Sequence, residues 1–573
     1  MPATFRKALI LAAGKGSRLG ELTRRLPKPM LPIRGKPVLE HHVNRLAAAD
    51  VREIWINLHH APDVIRSHFG DGSGFGVRLR YSEEPELLGT SGALRKLAAE
   101  FCDGPFFVIY GDNLVELDYA ELARQHRGIL TMVLHHRDYV AQSGVVQLDS
   151  DGRITAFQEK PAPGSELSHL VNAGIYSCEP QILDSLPPGF SDFGTDILPK
   201  LLAQGHHLYG IISPVPVIPI DTPEMINEAA PLRAAQIGAG KIGGKRVAAS
   251  DRGQMIAVAD PDLPRAQALA TACGAEPFQD WKQAVESERV NLVSVATTNN
   301  MLAVIARHAL ERGKHVLAEK PCALDSAELA PVVELAKKQG LIFQAGFNYR
   351  FHPAMQRAKA LVESGTIGRL LHGTARHGHG GRLGLEKEWR ARPEVSGGGE
   401  LLDQGVHLID LVRWLAADEI CSVQAVVTTE FWPIQPLEDH AFCLIETAHG
   451  AWFSLESSLT QWKNLFYLEL VGELGTLIIE GLGGSYGPER LTVIRRPETF
   501  GVPTVETEEF ADPDACWRAQ WQDFILAVRL GREPNGSGAD SLAALRVVEA
   551  CRRSSQEHRR VTIEHGMLLV SNQ

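Results

Sequence analysis

The chain has 573 residues, 44% of them hydrophobic and 22% charged, an ordinary balance for a folded globular protein and a length that exceeds one hydrophobic core. A net charge of −11 argues against a nucleic-acid coat or a basic membrane-surface role, since both need a positive field. Eight scattered cysteines without a CxxC pair suggest neither a zinc cage nor a disulfide framework, and a short first apolar run without a cleavage site makes a cytoplasmic location the expectation.

Residues 7–13 (KALILAA) read as a buried parallel strand that runs into the glycine turn LAAGKGSR at 11–18, and residues 37–49 have helical spacing. Residues 51–58, 76–81 and 106–110 read as further strands, the last entering Gly111-Asp112-Asn113. Strands alternating with helices predict a doubly wound α/β sheet whose ligands sit at the carboxyl ends of the strands. A short helical piece at 224–230 leads through Pro231 into a new strand at 233–237 and a second glycine turn, IGAGKIG at 237–243. No Gly/Ser-rich linker separates the halves, so a tight join is expected near 229–232. The β-α-β alternation then restarts, with strands at 256–259, 292–296, 315–318 and 342–346. From about 355 the pattern predicts antiparallel strands (422–431, 441–446, 452–459, 467–472), with helices at 517–530 and 542–556. The domains expected are 1–230, 231–352 and 353–573.

Both glycine turns have the makings of phosphate sites. Glycine lets the backbone approach a phosphate, and the helix that follows offers unpaired N–H groups and a positive dipole end. After the second turn, Asp260 comes 22 residues beyond Gly238, at the end of the next strand. A carboxylate there accepts from ribose hydroxyls and repels a 2′-phosphate, which favours NAD(H), and no Arg stands beside it in Asp260-Pro261-Asp262.

The first half carries LAAGKGSRLGELTRRLPKPMLPIRGKPVL at 11–39, LGTSGA at 88–93, GDN at 111–113, SGVV at 143–146, FQEKP at 157–161 and NAGIY at 172–176. It resembles the sugar-1-phosphate nucleotidyltransferases over residues 6–228. The resemblance implies a Rossmann-like domain that binds a nucleoside triphosphate and a sugar or cyclitol phosphate. Arg18 and Lys28 would clamp the phosphates, and Asp112 would hold Mg²⁺. The glycine turn (Leu11, Ala12, Ala13, Gly14, Gly16) would cradle the nucleotide, with Gly89 and Thr90 against its base. Glu159 and Lys160 would meet the sugar phosphate, and Gly144, Asn172 and Gly174 would line the sugar side. Where the family often has an Asp three residues before Thr-Pro this chain has Pro219, so Asp221 of the IDTPE ending is the candidate for a second metal ligand. The motif YSEEP before LGTSGAL looks like guanylyltransferases and IDTPE like cytidylyltransferases, which leaves the nucleotide open.

The second half carries GKHVLAEKP at 313–321, GFNYRF at 346–351 and GGGELLDQGVH at 397–407. It resembles the glucose-fructose oxidoreductase / inositol dehydrogenase family, often called Gfo/Idh/MocA, over about 232–560. This implies a dinucleotide-binding Rossmann domain followed by an α+β open-sheet substrate domain. The cofactor would lie on Gly238, Gly240, Lys241, Ile242, Gly243, Asp260, Thr297, Asn299, Glu319 and Lys320. His407 would be the base for a hydroxyl proton, Lys320 its helper and Asp403 an orienting group, with Arg350 toward the substrate. Asp403 and His407 are four apart and share one helix face. The family's usual Thr-Pro-Asn-x-x-His is Thr297-Thr298-Asn299-Asn300-Met301-Leu302 here, so Leu302 replaces a His near the cofactor. Residues 376–382 (RHGHGGR) read as a mobile substrate-facing loop rather than a metal site, its two arginines suited to a substrate phosphate.

The expectation is a bifunctional cytoplasmic enzyme that forms a nucleotide-linked sugar or cyclitol and oxidises or reduces a hydroxyl on the same route. The competing reading makes one half a non-catalytic nucleotide-sugar or NAD sensor. Both families imply a homo-oligomer, dimer or tetramer.

Overall fold

In the computed structural model the first apolar run forms β1 (Lys7–Leu11), near the middle of a nine-stranded sheet. The structure describes residues 4–563 apart from 34–35, 223–224, 227–228, 252, 500 and 513. The helical piece expected at 224–230 lies partly outside the described residues. The chain divides into two compact units, Met1–Pro231 and Leu232–Gln573.

In the first unit α1 (Val38–Ala48) covers one face of the sheet and α2 (Gly89–Lys96) the other. Ala8 and Ile10 of β1 face the core shared with Leu39, Val43 and Leu46, whereas Leu9 faces the opposite core with Leu94. Burial on both faces is why β1 reads as an unbroken apolar run rather than an alternation. β1 pairs in parallel with β2 (Glu53–Leu58) and β4 (Phe106–Tyr110), and β2 with β3 (Arg78–Glu83). Beyond β4 the sheet turns antiparallel: β5 (Leu130–His136), β6 (Gly144–Leu148) and β7 (Ile154–Glu159) join through β8 (Leu170–Cys178). β9 (Leu208–Ile212) closes the edge along β5. The parallel strands end on one rim, where the Gly111 N–H donates to the Leu11 carbonyl at 2.9 Å. That bond sets the first glycine turn beside Gly111-Asp112-Asn113.

The second unit opens with a six-stranded parallel sheet, built from β10 (Ala234–Ile237), β11 (Met255–Ala259), β12 (Glu276–Phe278), β13 (Leu292–Val295), β14 (His315–Ala318) and β15 (Phe343–Ala345). Its helices include α3 (Lys241–Ala249) and α4 (Asn299–Glu311). A nine-stranded sheet follows, and one continuous apolar core takes in residues of both sheets and of α4, among them Val295, Leu302, Phe453 and Leu468. β16 (Leu370–Gly378) lies inside that second sheet, followed in sequence by α5 (Val406–Ala416), β17 (Ile420–Thr428), β18 (His440–Thr447), β19 (Trp452–Ser458) and β20 (Leu465–Gly472).

The sheet is not purely antiparallel as the alternation predicts: β16 pairs in parallel with β19 and antiparallel with β20. β16 escapes sequence reading because its inward positions are Gly373, Ala375 and His377, too small or too polar to mark an apolar face. β21 (Gly475–Glu480), β22 (Glu489–Arg495) and the exposed β23 (Thr504–Phe510) complete that side. The helices α6 (Ala515–Leu530) and α7 (Gly538–Glu557) follow, α7 starting on a Ser537/Asp540 capping box.

Candidate active sites

Two backbone contacts assemble the first site. Residues Val217–Pro219 pair antiparallel with Asn113–Val115, and the Ile220 N–H donates to the Asp112 carbonyl at 3.0 Å, which sets Asp221 beside Asp112. Lys28 Nζ lies 2.5 Å from Asp112 Oδ2 and 2.5 Å from Asp221 Oδ1. Burial works against the Lys28 charge, but the two carboxylates outweigh it and raise its pKa. Two carboxylate oxygens converging on one point suit Mg²⁺, which takes one or two carboxylates and fills its shell with water and phosphate oxygens. Among the described residues no group of three or more His, Cys, Asp or Glu could hold a metal, so the protein's own contribution would be this pair.

The glycine turn is braced from below. The Ala12 N–H donates to Asn57 Oδ1 (2.6 Å), Asn57 Nδ2 to Glu84 Oε1 (2.9 Å), and the Leu88 N–H to Glu84 Oε2 (3.1 Å), so Asn57 at the end of β2 and the buried Glu84 tie together the loops after β1 and β3. Leu11 ends β1, Ala12 and Ala13 are buried, and Gly14 is exposed. Thr23 Oγ1 donates to the Gly16 carbonyl at 2.8 Å and closes the turn. Arg18 is exposed on the turn Ser17–Thr23. A cavity of about 500 Å³ opens beside that turn, with Lys15, Ser17, His59 and His60 in its wall.

On the far side β7 pairs Glu159 with Gly144, and burial raises the Glu159 pKa. Lys160 is exposed, its Nζ 4.0 Å from Glu159 Oε1. Asn172 donates to the Tyr176 hydroxyl (2.6 Å) and accepts from the Gly174 N–H (2.8 Å). A Cβ on Gly89 would stand 2.3 Å from the Ser191 carbonyl oxygen, so packing against the chain already requires glycine there. Thr90 is held by Asp192, which accepts from both its N–H and its hydroxyl at 2.8 Å.

In the second unit the glycine turn after β10 is a close fit. A Cβ on Gly238 would lie 2.2 Å from the Ala296 carbonyl oxygen and one on Gly243 2.0 Å from that of Gly238, while Gly240 faces open space. α3 begins at Lys241, and a cleft of about 580 Å³ runs from Gly238, Gly240, Lys241 and Ile242 past Asp260, Thr297 and Asn299 to Glu319 and Lys320. Asp260 accepts from the Ala239 N–H at 2.8 Å and the Asp262 N–H at 2.9 Å. The local tripeptide holds no Arg, yet the next helix brings Arg265 Nη1 to 3.9 Å from Asp260 Oδ1, at the cleft wall. The cleft therefore fits a dinucleotide: open backbone at Gly240, a helix N-terminus, and a carboxylate at the neighbouring strand end. Glu319 is fastened by the buried Arg246, which donates from Nε (2.8 Å) and Nη2 (2.6 Å) to its Oε1.

At the inner end of this cleft, Lys320 Nζ donates to Asp403 Oδ1 at 2.7 Å, and Arg390 Nε to Asp403 Oδ2 at 3.2 Å. Burial alone would raise the Asp403 pKa, but Lys320 and Arg390 outweigh it and hold the carboxyl well below the usual range. A second cavity of about 380 Å³ shares Lys241, Asn299, Arg390 and Asp403 with the cleft and extends to His379, Arg382 and Glu400. His407 heads α5 but is 3% exposed, lines neither cavity, and stacks on Tyr349 with ring centroids 4.0 Å apart. Burial, then Lys320, lower its pKa far below the usual histidine value.

Two expectations are corrected. Arg350 does not face a ligand: it is buried and bonded to Asp410 (Nε–Oδ2 2.8 Å, Nη2–Oδ1 2.6 Å), with Asp540 3.1 Å away. A guanidinium excluded from water needs such partners. Nor is 376–382 wholly a loop, since Arg376–Gly378 ends β16. Arg376 Nε donates to Glu456 at 2.5 Å, Arg382 pairs with Glu388, and His377 is buried. Only His379–Arg382 reaches the cavity.

Residues 7–215 match the Nucleotidyl transferase family model; residues 232–347 match the oxidoreductase family with an NAD-binding Rossmann fold, and residues 355–478 the GFO/IDH/MocA C-terminal domain. The chain joins a nucleotidyl transferase domain to a GFO/IDH/MocA oxidoreductase module. UTP–glucose-1-phosphate uridylyltransferase of Synechocystis sp. is 39% identical over 222 residues, 36% of this chain and 57% of that protein. Mannose-1-phosphate guanylyltransferase of Mycobacterium tuberculosis is 34% identical over 210 residues, 36% of this chain and 58% of that protein. The chain thus spans less than three fifths of the length of these curated relatives. A solved levoglucosan dehydrogenase, in complex with NADH, aligns with 58% of this chain and 99% of its own at 23% identity and TM-score 0.54, a likeness of fold.

Several residues of these sites carry no sequence signal of their own. In the nucleotidyl transferase domain Asn57, Glu84 and Asp192 act through contacts between distant loops. In the oxidoreductase module Arg390 and Glu400 reach the cavity only because the turns around them fold inward. Glu400 alone had a cue, an acid directly after three glycines.

Proposed function

We propose that the chain is a bifunctional enzyme. Its first unit transfers a nucleotidyl group from a nucleoside triphosphate to a sugar or cyclitol 1-phosphate. Its second unit interconverts a hydroxyl and a ketone with NAD(H) on a related sugar or cyclitol, phosphorylated or nucleotide-linked. The observation that carries this reading is the repeated arrangement of a lysine–aspartate cluster beside a glycine turn at the carboxyl ends of parallel strands, Lys28 with Asp112 and Asp221 in one unit and Lys320 with Asp403 in the other.

In the first reaction an oxygen of the sugar phosphate bonds to the α-phosphorus as the bond from that phosphorus to the bridging oxygen breaks, releasing pyrophosphate. Bound Mg²⁺ would neutralise phosphate charge, and Asp112 and Asp221 are the residues that would hold it. Lys28 adds fixed positive charge where negative charge spreads, Arg18 reaches the phosphates from the exposed turn, and Glu159 and Lys160 receive the sugar phosphate. The relatives' names include both uridylyl and guanylyl transfer, so a panel of GTP, CTP, UTP and dTTP with several 1-phosphates, read as pyrophosphate release, identifies the pair used. No release with any combination refutes this half.

In the second reaction, bound NAD(H) supplies the hydride acceptor or donor. The turn from Gly238 to Gly243, with Lys241 and Ile242, faces the pyrophosphate; Asp260 accepts from the ribose hydroxyls, and Thr297, Asn299 and Glu319 complete the wall. Lys320, held by Asp403, orients the reacting hydroxyl. NADH formation from a panel of polyols, sugars and cyclitols tests it, and absence of turnover on all of them refutes this half. The proposal includes a cytoplasmic homo-oligomer, dimer or tetramer, which light scattering on the purified chain checks.

A further inference from the structure

Resting on the two-enzyme reading above, we propose that the second unit acts on a nucleotide-linked sugar or cyclitol, the product class of the first unit. The ring undergoing redox would sit in the cavity of about 380 Å³, the diphosphate at Arg382, and the base on Phe431 and Trp462 at the rim.

The cavity sets the first limit. It meets the dinucleotide cleft at Asp403, and its volume lies at the small end of the range for ligand pockets, about 300–1,000 Å³. That space suits one sugar-sized ring beside the nicotinamide, so the rest of a larger substrate has to lie where the cavity reaches the surface. It does so at Arg382, which lines the cavity and is itself exposed.

Three loops meet at that rim. His379–Arg382 follows β16, and the His379 carbonyl accepts at 3.3 Å from the N–H of Gln461, in the loop after β19. From the loop after β17, Trp432 Nε1 donates to the Leu459 carbonyl at 2.9 Å. Trp432 is buried against Gly381, where a Cβ would stand 2.7 Å from its ring. Its neighbour Phe431 and the nearby Trp462 are the opposite case: they are 60% and 68% exposed, and their rings meet edge to face with centroids 5.0 Å apart. Trp462 lies against Gly380, whose Cβ would be 3.5 Å from Trp462 Cε3, and Gly380 stands between two residues of the cavity wall, His379 and Gly381. Two large rings are thus carried by a fixed frame, left bare, and placed next to the cavity.

Bare aromatic faces serve a stacked ligand or a partner surface. The cations beside them favour a phosphorylated ligand. Arg382 has its guanidinium oriented by Glu388, and the exposed Lys463 directly follows Trp462. The rim therefore offers, in one place, what such a substrate carries beyond its sugar: a guanidinium for phosphate oxygens and ring faces for a base. The redox step is that of the reading above. In oxidation one ring carbon passes a hydrogen with its electron pair to oxidised nicotinamide, its hydroxyl proton is released to solvent, and the bond from sugar to phosphate stays intact.

The test uses the full-length chain and the triphosphate and 1-phosphate pair that releases pyrophosphate; if none does, UDP-glucose and GDP-mannose are the probes. NADH formation is followed with NAD and, in turn, the purified nucleotide-linked compound, its 1-phosphate and the free sugar or cyclitol. kcat/KM for the nucleotide-linked compound should exceed that for the 1-phosphate by about 5- to 150-fold, the scale of stacking one base. Trp462→Ala should raise KM for the nucleotide-linked compound by a similar factor with kcat retained, and Arg382→Ala by about tenfold, both with wild-type NADH affinity. A 1-phosphate or free sugar turned over as well as the nucleotide-linked form, or a Trp462→Ala variant with the wild-type KM, overturns the proposal and leaves the oxidoreductase reading standing. Light scattering in which Trp462→Ala dissociates an oligomer also overturns it, because the rings are then a contact between copies. A wild type that binds NADH but turns over none of these compounds, nor any of the polyols, overturns the oxidoreductase reading and the proposal with it.

Discussion

Lys28 Nζ lies 2.5 Å from Asp112 Oδ2, with residue 28 on a turn after the first strand and residue 112 at the end of the fourth. The pair exists because the Gly111 N–H bonds the Leu11 carbonyl and so aligns the two strand ends. Lys28→Ala or Asp112→Asn should cut pyrophosphate release by about 10²- to 10³-fold, the scale of losing one preorganised charge at a phosphoryl centre. NADH-linked turnover by the same preparation should be unaffected.

Lys320→Ala should have the converse outcome. NADH-linked turnover should fall by about 10²-fold or more, and pyrophosphate release should be retained. Removing the ammonium leaves Arg390 as the remaining partner of Asp403, so the Asp403 carboxyl should titrate at higher pH than in the wild type, which a carbon-13 NMR titration of labelled aspartate can follow.

On the proposed reading Asp260 would set the choice of dinucleotide, and Arg265 lies 3.9 Å from it. Asp260→Ser should lower kcat/KM for NAD about tenfold, equal to about 1.4 kcal/mol, and raise that for NADP, because the repulsion of a 2′-phosphate is removed while Arg265 remains. Adding Arg265→Ala should abolish the gain with NADP but leave NAD usage as in the single variant.

Arg350 and Asp410 form a buried ion pair at 2.6 Å. Arg350→Ala should destabilise the oxidoreductase module by about 3–5 kcal/mol, since it strands a carboxylate inside the core. Denaturant unfolding of the full chain reads this as an earlier transition of that module, with the nucleotidyl transferase transition unmoved.

Glu400 titrates at about 8 in the folded chain against an ordinary 4.5. The folded state therefore holds the proton more tightly than the unfolded chain, so the stability tied to this group is full below about pH 4.5 and is lost as pH rises to about 8. Glu400→Gln should remove that slope and make the oxidoreductase module more stable than wild type above pH 8, by an amount on the order of a few kcal/mol in thermal unfolding measured across pH.

The glycine turns, the strand-end Asp112 and Asp260, and the central strands are legible because each depends on local chemistry: an apolar run buried on both faces, a turn, and the residue after it. Arg350 misleads because its partners Asp410 and Asp540 lie far along the chain, and no local pattern distinguishes a ligand-binding arginine from one neutralised in a core. His407 follows a π-turn over Leu401–Gly405, and its ring stacks on Tyr349, a placement that its spacing from Asp403 alone does not reveal. Glu84 and Asn57 are silent because tying two loops to a strand end is a property of the closed sheet.

The parallel pairing of β16 with β19 bears on how the chain is made. β16 leaves the ribosome early, yet both of its neighbours, β19 and β20, belong to segments synthesised well after it. The parallel six-stranded sheet before it can close from its own strands, whereas β16 must wait with both edges unpaired until β19 has been made, and with one edge unpaired until β20 has. Its histidines, glycines and arginine keep this waiting edge poor in apolar surface and so suppress pairing with other nascent chains, which makes the polar character of Leu370–Gly378 a safeguard during synthesis.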